Sequence, residues 1–242
     1  MRTKFAPLTA ALLLACLGSA AQAHQVWIEN SGNQARLHFG EYADNLRESS
    51  PGLLDKFKGV PTLHQMAGGK MQHIDGKLTP TAFTYATTGA SDTLFAEAAY
   101  PLIERTKSNQ AAMVWRPAAR WVASLAQPVT ATPNALDVVP TGKAGELRVV
   151  YNGTPLPKAK VTLVSPSGWA REASTGADGA VQFELPWKGQ YVAEVHHTDK
   201  TPGERAGGEK FGESSFVTTL SFTQASGMES PALPAAPAAP AK

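Results

Sequence analysis

The chain has 242 residues, a formal net charge of +2, one cysteine, 21 glycines and 18 prolines. Balanced, well-mixed charge leaves no footprint for nucleic acid, and no basic amphipathic segment suits a membrane surface. A lone cysteine excludes a disulfide framework, so a core of about 200 ordered residues must hold unaided, as one large or two medium domains.

The chain opens with Arg2 and Lys4, then an apolar run centred on Leu12, Leu13 and Leu14, then Ala21-Gln22-Ala23. Charge, apolar run and a small-x-small site in that order read as a secretory signal over residues 1–23, cut after Ala23 to leave His24 first. The run is shorter than the roughly 20 apolar residues that span a bilayer. The expectation is export to the periplasm with no membrane insertion once the signal is removed. Leu13-Leu14-Ala15-Cys16 competes as a lipobox-like sequence. Leu14 is bulky for that role and the stretch before Cys16 is short, so cleavage before His24 is preferred over a lipoprotein.

Beyond the leader, short alternating runs separated by Gly, Pro, Asn and Asp predict an all-β protein. Two strands, Gln25 to Glu29 and Gln34 to Phe39, flank Asn30-Ser31-Gly32-Asn33. Ser50-Pro51 predicts a short helix to about Lys58, with Ser50 as N-cap and Pro51 at the first helical position. Strands follow at 62–66, 82–86, 93–100 and 111–115. His64, Met66, Met71 and His73 around Gly68-Gly69 suggest a hairpin. Pro128 to Pro133 reads as a linker.

The clearest pattern lies between Leu136 and Phe222. Strands are expected at 146–151, 160–164, 181–185, 190–197 and 215–222, with Asn152-Gly153 as a hairpin turn. Trp187 reads as a cover over an open core edge. This predicts two β-sandwich-like domains, 24–133 and 134–223, the second immunoglobulin- or prealbumin-like. Residues 224–242, rich in Pro and Ala, read as a disordered tail.

Chemistry falls on six histidines: His24, His38, His64, His73, His196 and His197. No GxSxG elbow, phosphate-binding GxxxxGK[ST] loop or HExxH helix is present, and no cysteine nucleophile survives processing, so an enzyme is not the expectation. Imidazole suits zinc, copper, nickel and iron-group ions. Cleavage before His24 would give that residue both an imidazole and a free amine of pKa about 8, able to chelate one ion together. Adjacent strand residues face opposite ways, so His196 and His197 cannot easily serve one ion. His38 shares a face with Arg36, opposite Leu37 and Phe39, and reads as solvated. Glu41 could serve as a carboxylate ligand, but such a residue is more often merely exposed. The His64–His73 set would favour copper through its thioethers, but packing by methionine is the simpler reading.

His24-Gln25-Val26-Trp27-Ile28-Glu29 resembles the HxxW opening of the DUF4198 family, secreted proteins described as periplasmic components related to cobalt or nickel uptake. Tyr151-Asn152-Gly153-Thr154-Pro155-Leu156 is similar to the family's hairpin, Thr175-Gly176-Ala177-Asp178-Gly179 to its Asp-Gly turn, and Val195 through Glu204 to its terminal His-containing strand and loop. Phe216 to Phe222 is similar to the closing strand. The resemblance runs from His24 to Phe222 and is weak from Pro61 to Pro133. It implies a periplasmic all-β protein that binds a divalent transition metal, nickel or cobalt, with copper or zinc as alternatives. The implied ligands are His24 and either His196 or His197, and the implied partner is an inner-membrane metal importer. Two rival readings stand beside it: a histidine-brace copper enzyme, and a metal-free adhesive β-sandwich.

Overall fold

The computed structural model describes residues 24–88, 90–130 and 133–237. The expected leader with Cys16, and residues 238–242, lie outside the described residues.

Strands dominate. In the first half they are β1 (Gln25–Ser31), β2 (Gln34–Glu41), β3 (Leu46–Arg47), β4 (Leu63–Ala67), β5 (Lys70–Ile74), β6 (Gly76–Leu78), β7 (Phe83–Ala86), β8 (Thr93–Glu97) and β9 (Met113–Val122). The second half adds β10 (Leu136–Pro140), β11 (Glu146–Tyr151), β12 (Thr154–Pro155), β13 (Lys160–Val164), β14 (Ala170–Ser174) and β15 (Ala180–Gln182). It closes with β16 (Gly189–Asp199), β17 (Gly203–Arg205), β18 (Glu209–Phe211) and β19 (Glu213–Gln224).

The protein is an all-β sandwich, built in three layers. The middle layer is an eight-stranded sheet in the order β14-β13-β16-β19-β9-β8-β4-β5. A five-stranded sheet, β1-β2-β7-β6 with β3 beside β2, covers one face; a four-stranded sheet of β10, β11, β12 and β15 covers the other. The period-2 alternation of strand side chains lets one strand serve both layers. In β19, Phe216, Leu220 and Phe222 enter the core shared with Leu136, Val138, Leu147 and Val149. Thr219 points the other way and donates to the Val26 carbonyl of β1 at 2.7 Å, while Thr218 donates to the Leu136 carbonyl at 2.9 Å. These two buried hydroxyls thus have partners, one in each covering sheet, as buried polar groups usually do. The second core, between β1–β2–β7 and β8–β9, gathers Val26, Ile28, Leu37, Phe39, Phe83, Tyr85, Leu94 and Ala119.

Most hairpins follow the sequence reading. β1 pairs with β2 around Gly32 at φ 59°, and β11 turns into β12 through Asn152 and Gly153 at φ 49° and 76°. Positive φ at both positions is what a tight hairpin asks and what Asn-Gly tolerates. β4 pairs with β5 across Gly68-Gly69.

Other elements differ. The helix expected from Ser50 to Lys58 is one 3-10 turn, Leu53–Lys56. Gly52 takes φ 157°, outside the helical region, so no helix can start at Pro51. Ser50 Oγ and Gly52 N instead donate to the Asp55 carboxylate, each at 2.7 Å. The strand expected to end at Trp115 continues to Val122 through Pro117. Pro117 accepts from Ala98 N, one residue past the end of β8, so its missing donor costs only an end bond of that ladder. On its other side β9 lies parallel to β19. Strands from both sides of residue 133 therefore build one sheet.

Past β19 the chain returns along the body. Met228 exchanges backbone bonds with the Pro186–Lys188 segment, and Pro234 O accepts from Asn45 Nδ2 at 3.1 Å. Trp187 is half-buried and meets exposed Trp169 edge-on.

Candidate functional site

His24 is the residue before β1 and shares the parity of Val26 and Ile28, so its ring enters the gap between the outer five-stranded sheet and the middle layer. There it tilts against Phe39, with ring centroids 5.0 Å apart, beside an aromatic group of Phe57, Tyr100 and Trp115. Both ring nitrogens face carboxylates: Nε2 is 2.6 Å from Glu48 Oε1, and Nδ1 is 3.4 Å from Glu41 Oε1. Glu41 ends β2 on the same face as Phe39. Glu48 follows β3 and is held by its backbone N–H, which donates to the Phe39 carbonyl at 2.8 Å.

Acidic side chains act on one another as well as on His24 here. Burial raises the proton affinity of the Glu41 carboxyl, a hydrogen bond with Asp44 raises it further, and the Asp44 and Glu48 charges add to this against the opposing His24. One imidazole thus sits between Glu41 and Glu48, with Asp44 hydrogen-bonded to Glu41. The sequence reading included Glu41 and missed Asp44 and Glu48. Their signal was an acidic spacing within Glu41-Tyr42-Ala43-Asp44-Asn45-Leu46-Arg47-Glu48, which says nothing of where a loop turns back.

The other histidines separate by face. Thr219, which reaches β1, pairs with Glu194; Val217, next on that face, pairs with His196. His196 therefore lies on the side of the middle layer that β1 covers, where it contacts Glu194. No hydrogen bond or ion pair joins it to His24 among the described residues. His197 is on the opposite face, its ring 4.4 Å from Tyr151 and 6.4 Å from Phe216. Nearby, Tyr151 Oη donates to Asp199 Oδ2 at 2.5 Å, and bonds from Thr201 and Tyr151 hold the Asp199 carboxyl at about 2. The His196 side chain is 47% exposed, and the structure does not bring it or His197 into contact with His24.

His38 is not solvated, contrary to expectation: it is 4% exposed. The parity was right, but that face of β2 is covered. Trp27, paired opposite, stacks on the ring at 5.3 Å; Nδ1 lies 3.2 Å from Thr81 O, and Nε2 is 3.4 Å from Glu29 Oε2. Among the described residues, no three His, Cys, Asp or Glu side chains converge closely enough to hold a metal ion outright.

Fold and site together define a three-layer β-sandwich with a histidine–carboxylate cluster at the start of the first strand. The chain belongs to the DUF4198 family, a domain of unknown function, whose family model matches residues 74–199. The match runs from the end of β5 through β16 and so includes His196 and His197 but not His24. It also covers much of the stretch in which the sequence resemblance was weakest. No match is found among curated proteins.

Proposed function

We propose that the processed protein is a periplasmic binder of a divalent transition metal, of the nickel or cobalt type, that serves an inner-membrane importer. The observation that carries this reading is the His24 imidazole, flanked at both nitrogens by Glu48 and Glu41, with Asp44 bonded to Glu41. The side chains alone fall short of a full ligand set, and cleavage after Ala23 supplies what they lack. It frees the His24 amine on the same residue as the imidazole, giving a two-nitrogen chelate beside carboxylate oxygens. Such a mixed nitrogen and oxygen set suits borderline divalent ions.

Isothermal titration of protein whose N-terminus is His24, checked by mass spectrometry, tests this with nickel, cobalt, copper and zinc. One equivalent should bind, and one alanine placed before His24 should weaken binding by about 10- to 100-fold, as should Glu48→Gln. Absence of binding by the correctly processed protein, or equal binding by the alanine-extended form, overturns the proposal. In that case the metal-free sandwich becomes the working description.

A further inference from the structure

We propose that His64, Met66, Met71 and His73 form a separate site for copper(I) on the β4–β5 hairpin. The register pairs His64 directly with His73, and Met66 directly with Met71. Residues two apart in a strand share a face, so all four side chains stand on one side of the hairpin. The two rows are about 7 Å apart along the strands, a gap that side chains of this length close around one ion. Two further observations pair the like donors. The His64 and His73 rings are 4.5 Å apart, and Met66 and Met71 both line the same cavity of about 550 Å³.

His64 is prepared for a ligand. Its ring stacks on Phe95 at 4.7 Å and 6°, which fixes its orientation. Its Nδ1 is buried and has no hydrogen-bond partner, an arrangement that folded proteins usually avoid. The ion reaches the site from outside, because β5 is an edge strand and Met71 is 57% exposed. A donor set of two thioethers and two imidazoles selects a soft ion such as copper(I) over hard divalent ones. None of the four residues belongs to the His24 cluster, so the two proposals stand or fall separately.

The test is anaerobic titration of the processed protein with copper(I) against a chromophoric chelator, with silver(I) as a diamagnetic probe of methionine methyl resonances. One equivalent should bind and shift the Met66 and Met71 methyl signals. His24→Ala should retain it. The Met71→Leu/His73→Asn double variant, altered only at exposed positions, should keep its circular dichroism and lose about 10- to 100-fold in affinity. Unchanged affinity in that folded variant overturns the proposal, as do silver shifts confined to other methionines or no copper(I) binding at all.

Discussion

Glu29 shows how one residue ties the start of the chain together. Trp27 Nε1 donates to its carboxylate at 3.1 Å, Arg47 Nη2 at 2.7 Å, and His38 Nε2 stands 3.4 Å away. Burial works against the charge, but the contact and charge of His38, with the bonds from Arg47 and Trp27, outweigh it and hold the carboxyl well below the usual range. A carboxyl whose folded pKa is depressed stabilises the fold fully above the unfolded value, about 4.3 for Glu, and loses that contribution as pH falls toward the folded value. Glu29→Gln should therefore cost about 1–3 kcal/mol at pH 7, and urea unfolding near pH 3 should show a narrower gap between variant and parent. An equal gap at both pH values would mean that the charge is immaterial and only the contacts count. His38 owes its burial to this same cluster, which is why strand parity alone gave its face and not its surroundings.

Among elements, the β2–β3 connection positions the His24 cluster. Gly40 takes φ 145°, and a Cβ there would lie 2.2 Å from the Leu46 carbonyl oxygen. The backbone of β3 approaches β2 that closely only because residue 40 lacks a side chain. Gly40→Ala should push Leu46 and Arg47 outward, move Glu48 off His24, and destabilise by about 1–3 kcal/mol. Thermal unfolding and metal titration on the same variant separate the effects. A lower Tm with undiminished metal affinity would show that β3 does not place Glu48. Other hairpins were legible because apolar alternation and a two-residue turn occur together, as at Tyr151-Asn152-Gly153-Thr154. β9 was only half legible, since Pro117 imitates a strand end, and its tolerance depends on which neighbour stops beside it. The expected helix at Ser50 failed for a similar reason: cap and proline were present, but the next residue, Gly52, leaves the helical region.

For the whole molecule, the buried pair of Arg120 and Asp137 matters most. Arg120 Nε and Nη2 meet Asp137 Oδ1 and Oδ2 at 3.0 and 2.5 Å, and the two side chains are 1% and 0% exposed. Arg120 comes from β9 and Asp137 from β10, so the pair joins the middle layer to its covering sheet across the segment read as a linker. Arg120→Met leaves a buried carboxylate without its partner and should cost about 3–5 kcal/mol. Because the eight-stranded sheet draws on both halves, tryptophan fluorescence and far-ultraviolet circular dichroism should report one coincident urea transition. Two separated transitions would show that the halves unfold independently.

The sequence by itself determined most of the longer strands, the tight turns, the all-β class and the family. Each rests on local pattern: alternation with period 2, Asn-Gly and Gly-Gly pairs, and short motifs read in place. It also assigned His196 and His197 to opposite faces, since parity is a property of the strand alone. Only the tertiary structure decided what covers each face. It put Trp27 over His38, turned the loop after β3 so that Glu48 meets His24, laid β1 across Thr219 beside the His196 face, and set β9 parallel to β19 in a shared sheet. These pairings join residues far apart in the chain and arise from burial and hydrogen-bond satisfaction across layers, which no local period encodes.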